Sequence, residues 1–202
     1  MKNRKKESLL MLFVAMLLAG WQIQATQTTY TVSADSKMWV EGTSTLHDWA
    51  CYATEIDGSI ELDAPVDAVP SVTRAQVTVP IGTMDCHNGT MDGKLKKALK
   101  EKDNPNLLFE LDTVTVPTMA PADSFEVATS GYMMIGGMTR QIEISQYMTR
   151  MDDGRVMFRG SFPVSMKDYS VKPPSALLGT IKTGNDVTVF YELVLEADGT
   201  NS

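Results

Sequence analysis

From Thr28 to Leu195 one pattern dominates the chain: apolar and polar residues alternate in runs that end at turn-forming residues. A period of two marks a strand with one buried face. Within Val72 to Ile81, Ala75, Val77, Val79 and Ile81 fall on one side and Arg74, Gln76 and Thr78 on the other. The pattern recurs through Phe125, Val127, Thr129, Gly131, Met133 and Ile135, then through Val156, Phe158, Gly160, Phe162 and Val164. A last run places Val187, Val189, Tyr191, Leu193 and Leu195 on one face. Further strands are expected over Thr28–Ala34, Met38–Thr45, Trp49–Leu62 (bent at Asp57-Gly58), Leu107–Val116 and Gln141–Met148. Asp35-Ser36, Gly136-Gly137 and Asp152-Asp153-Gly154 supply the turns. Many strands joined this way predict an all-β protein, an antiparallel barrel or sandwich.

One helix interrupts the strands. Met91, Leu95, Ala98 and Leu99 recur at helical spacing, while Lys94, Lys96, Lys97, Lys100 and Lys102 occupy the other face. The lysines read as a solvated face over an apolar one packed on the barrel, with lipid headgroups or an acidic partner as the other reading. Asp103-Asn104-Pro105 is the expected stop.

The N-terminus has the form of a secretory leader: a basic Lys2–Lys6 stretch, an apolar run from Leu9 to Gly20, and Ala25 as a small residue at a cleavage site. The apolar run is too short to span a bilayer as a helix. Residues 1–25 are therefore expected to be a signal peptide and 26–202 one barrel domain. The mature protein is expected to be periplasmic or otherwise secreted, with no membrane-spanning segment. Removing the leader leaves 14 basic against 24 acidic residues, a net charge near −10. That balance argues against nucleic acid, which requires a basic footprint.

Cys51 and Cys86 are the only cysteines, and both lie in the exported part. They read first as one disulfide, with a redox pair or two buried thiols as the alternatives. No Cys-x-x-Cys motif is present. His47, Asp48 and Trp49 form a polar turn with Ser44, and adjacency is a poor geometry for a Ser-His-Asp triad. The turn reads as a barrel-mouth feature in which His47 and Asp48 bond local backbone and Trp49 plugs the end. His47 and His87, the only histidines, match no zinc spacing. No phosphate-binding glycine loop precedes a helix. No enzyme, metal or cofactor is expected.

Eight strands leave room for a plug of side chains or for one ligand. The 11 methionines after residue 25 suit a flexible apolar guest, although methionine also fills gaps in ordinary cores. The alternation nominates Val77, Val79, Phe109, Leu111, Met133, Ile135, Phe158, Phe162, Val189 and Tyr191 as inward-facing, ligand-binding residues.

Four segments stand in the order of a known family: Gly42–Trp49, Phe109-Glu110-Leu111, Gly131–Arg140 and Gly160–Tyr169. With the helix between the fourth and fifth strands and the leader, the chain resembles the YceI-like lipid/polyisoprenoid-binding family from roughly Tyr30 to Ala197. The His47-Asp48-Trp49 turn and the cysteine pair depart from the broad pattern and look like those of a subgroup. The resemblance implies a lipocalin-like antiparallel barrel of about eight strands with one flanking helix. It also implies an elongated apolar channel holding an isoprenoid chain, and thus an extracytoplasmic carrier of a polyisoprenoid or quinone-like lipid. The rival readings are a filled barrel acting as a docking protein, and a quinone- or haem-linked redox accessory.

Overall fold

The computed structural model describes residues 26–64, 71–115, 123–176 and 180–198. The expected leader over residues 1–25 lies outside them. In chain order the strands are β1 (Thr26–Val32), β2 (Lys37–Ser44), β3 (Trp49–Ala53), β4 (Asp57–Ala64), β5 (Ser71–Pro80) and β6 (Met84–Asp85). Helix α1 (Gly89–Ala98) follows, then β7 (Asn106–Thr115), β8 (Ser124–Ile135), β9 (Met138–Arg150), β10 (Val156–Ser165), β11 (Ser175–Ala176) and β12 (Ile181–Ala197).

These segments merge into eight antiparallel staves of a closed barrel. β1 and β2 lie end to end along one edge of β12, from Tyr30 opposite Ala197 to Ser44 opposite Thr183. β3 and β4 run beside them, and β5 with β6 beside those. β7 to β10 follow in sequence order, and β12 returns to β1. The ring leaves no long sheet edge to be protected from other chains.

Three strand details differ from strict alternation. The stretch Trp49–Leu62 is two strands, because Thr54 turns out of the ladder. Its hydroxyl donates to the Thr83 carbonyl at 2.8 Å, and β3 pairs with β6 while β4 pairs with β5. A register shift between Glu61 and Leu62 sets Leu62 opposite Val72, and both are buried. A second shift, between Leu111 and Thr113, lets both Leu111 and Val114 face inward. Each bulge adds a residue to one strand and reverses the in–out phase of the residues beyond it.

Helix α1 begins where Asn88 Oδ1 accepts from the amides of Thr90 and Met91, each at 3.1 Å, a standard N-cap. It ends earlier than the Asp103-Asn104-Pro105 signal predicts. Leu99 is the C-cap and Lys100 turns left-handed at φ 56°. The Glu101 amide then donates to the Lys96 carbonyl at 3.0 Å and the Lys100 amide to the Lys97 carbonyl at 3.2 Å. This is a Schellman closure, in which a left-handed residue satisfies the last carbonyls of a helix. Met91, Leu95, Ala98 and Leu99 pack toward the barrel, but no residue of α1 is fully buried.

Cys51 on β3 and Cys86 form a disulfide. Cys86 lies two residues before the Asn88 cap, so the bond ties the foot of α1 to the barrel wall. The Asp92 carboxylate reinforces the join by accepting from the Cys86 amide at 2.8 Å.

Candidate functional site

The two ends of the barrel are built differently. At the end where β12 finishes, Leu62, Val127, Met148 and Leu195 are sealed to 2% exposure or less. They form a packed floor. At the other end the β2–β3 turn, α1, the Gly136-Gly137 hairpin, residues 166–175 and the start of β12 surround an opening. Gly136 and Gly137 make that hairpin with φ of 57° and 82°, a pair of left-handed positions that suits glycine.

Between floor and opening the barrel is hollow. An inner cavity of about 120 Å³ sits above the floor. All ten residues nominated as inward-facing line it: Val77, Val79, Phe109, Leu111, Met133, Ile135, Phe158, Phe162, Val189 and Tyr191. An outer chamber of about 550 Å³ opens above it. Met38, Val79, Leu107, Ile135 and Val189 line both, so the two form one passage. Met38, Met84, Met91, Met133 and Met166 are distributed along the passage. Their soft, unbranched side chains conform to irregular apolar shapes.

One polar row runs along a wall of the inner cavity. The Tyr191 hydroxyl donates to Gln146 Oε1 at 2.7 Å, and Gln146 Nε2 donates to Thr129 Oγ1 at 2.8 Å. Burial pushes the Tyr191 phenol well above its ordinary pKa. The ring has space because Gly160 lies beneath it: a Cβ there would stand 2.6 Å from the Tyr191 oxygen.

The mouth turn is held by its own atoms. Ser44 Oγ donates to the His47 carbonyl at 2.8 Å and accepts from the amides of Leu46 and His47, each at 3.2 Å. The His47 ring Nδ1 lies 2.7 Å from the Asp48 carbonyl. Trp49 Nε1 donates to the Thr43 carbonyl at 3.1 Å, and its ring covers Gly42 so closely that a Cβ there would clash with it. Thus His47 and Trp49 line the outer chamber, while Asp48 faces a separate external groove. The Ser44 hydroxyl is spent on backbone, and does not meet the imidazole. His87 stands outside, stacked on Tyr52 and 3.2 Å from Asp85. Among the described residues no three His, Cys, Asp or Glu side chains cluster as a metal site.

Residues 21–195 match the family model described as the YceI-like domain. The chain belongs to the YceI-like domain family. No curated protein sequence matches it. Among solved structures, it is similar to a polyisoprenoid-binding domain from Saccharophagus degradans implicated in plant cell wall breakdown. Identity there is 14% over 86% of this chain and 100% of that one, with a TM-score of 0.67. BcnA of Burkholderia cenocepacia is 14% identical over 81% of this chain and 98% of its own, TM-score 0.64. The YceI protein of Campylobacter jejuni is 16% identical over 70% and 81%, TM-score 0.53. At these identities the likeness concerns the fold.

Two parts of this YceI-like passage go beyond what the sequence reveals. Gln146 stands in phase with Ile142, Ile144 and Met148 on β9, and a polar residue on an apolar face is the available signal. Lys94 falls on the side of α1 that the periodicity marks as solvated, yet it lines the outer chamber. The helix lies across the opening, so its flank as well as its apolar face meets the passage.

Proposed function

We propose that this chain is an extracytoplasmic carrier that holds one long apolar lipid, polyisoprenoid or quinone-like, in the barrel without chemical change. The observation that carries this reading is the passage itself, closed below, open beside α1 and lined almost wholly by apolar side chains. Each ligand CH₂ transferred from water gains about 0.8 kcal/mol before ordering costs. A long chain therefore binds through its length with few polar contacts. Its bed is the group of ten lining residues from Val77 to Tyr191, with the His47-Asp48-Trp49 turn at the mouth marking a subgroup of the family. The polyisoprenoid-binding description of the Saccharophagus neighbour supports the ligand class. The Cys51–Cys86 bond suits an oxidising compartment, in keeping with export.

Met133→Arg and Phe158→Glu each place a charge in the inner cavity, where an unpaired ion is costly. Both variants are expected to lose at least about tenfold in affinity for a fluorescent long-chain probe, a change of about 1.4 kcal/mol. Circular dichroism checks the fold in parallel. Unchanged probe binding by a folded variant would refute the assignment.

A further inference from the structure

Among the described residues the passage has a single formally charged lining residue. No aspartate, glutamate or arginine borders either chamber among the described residues; Lys94 alone brings a charge, at the rim of the outer one. Two of the neighbouring lysines are already engaged. Lys96 Nζ donates to the Gly82 carbonyl at 2.7 Å and Lys100 Nζ to the Gly136 carbonyl at 3.3 Å. Lys94 has no hydrogen-bond or ion-pair partner among the described residues. Its neighbours one turn away on α1 are Thr90, Met91, Lys97 and Ala98, none of them an acid. The carboxylate of Asp92 is turned to the Cys86 amide.

Thr90 lies one turn before Lys94 and also borders the chamber, as does Asn88, whose Oδ1 is committed to the helix cap. The rim thus presents an ammonium and a hydroxyl from one helix face above a deep apolar passage. An ammonium with no counter-ion, beside a cavity without acids, is poised for an anionic group brought by the guest. Neutral heads gain no charge-assisted hydrogen bond from it.

We propose that Lys94 reads the headgroup of the ligand, and that the preferred guest is a single-chain amphiphile with an anionic head, a carboxylate or a phosphate. The head rests at the rim against Lys94 and Thr90 while the apolar chain runs inward. This rests on the chain-binding reading above and narrows it, since a neutral head is disfavoured against a charged one.

The test compares three probes of one chain length on the delipidated protein at neutral pH: hexadecanol, hexadecanoate and hexadecyl phosphate. Displacement of a fluorescent long-chain reporter reads each affinity. At least one anionic probe is expected to bind about tenfold or more tighter than hexadecanol, equal to about 1.4 kcal/mol. Which one leads separates a carboxylate from a phosphate guest. Lys94→Gln is expected to abolish that preference, so that in the variant the anionic probes bind within about twofold of hexadecanol. Lys96→Gln, which alters a lysine outside the chamber, is expected to keep the preference. Equal binding of all three probes by the unaltered protein, or a preference that survives Lys94→Gln, would overturn the headgroup assignment and leave the barrel reading standing. If none of the three binds, the chain-binding reading falls and this inference with it.

Discussion

At the scale of single residues, the buried polar groups decide where the barrel is vulnerable. Gln146 joins Thr129 and Tyr191 along one wall of an otherwise apolar cavity. Gln146→Leu would leave the Tyr191 hydroxyl without its acceptor, a loss worth about 1–3 kcal/mol. Urea unfolding of the two proteins measures it. Tyr169 is 3% exposed and its hydroxyl has no partner among the described residues. Tyr169→Phe is therefore expected to keep or slightly raise stability.

Both tyrosines also set an alkaline limit. Burial raises each phenol above the ordinary value of 10.0. Below pH 10 both folded and unfolded phenols are protonated and the stability is complete. Above it the unfolded chain ionises first, so stability falls as pH rises toward the folded value. Unfolding midpoints at successive pH values above 10 should decline, and Tyr169→Phe with Tyr191→Phe should flatten the decline. A slope unchanged by the double substitution would place its cause elsewhere.

At the scale of elements, α1 is held at both ends by features outside its own periodicity. The disulfide and Asp92 fix its foot, and the left-handed Lys100 closes its end. Closing a loop of 35 residues is worth roughly 3–4 kcal/mol in the chain-entropy model. The double variant Cys51→Ala, Cys86→Ala should lose about that much stability and should show faster amide exchange in α1 than in β8 or β9. Uniform exchange throughout would mean that the bond does not serve the helix in particular.

The elements also show what the sequence could reveal. Alternation in β5, β8, β10 and β12 is enough, with β7, to name ten residues that the structure places around one cavity. The bulges near Leu62 and Asp112 are not legible, because a phase reversal depends on the partner strand. The break after Ala53 depends on Thr54 reaching Thr83, a contact between segments distant in sequence. The place of Lys94 is hidden for a related reason: a helical period gives the faces of α1 but not the tilt at which the helix crosses the mouth.

At the scale of the whole molecule, the barrel has a sealed floor, a narrow inner cavity and a wider outer chamber. Binding by burial makes affinity rise with chain length until the passage is filled, by up to about 0.8 kcal/mol per CH₂. One apolar chain is proposed to occupy this passage. Native mass spectrometry of the purified protein, before and after reloading with a defined long-chain lipid, reads that occupancy. A one-to-one adduct that reforms on reloading and is lost in Met133→Arg is expected. A bare mass under both conditions, or an adduct that Met133→Arg retains, would contradict it.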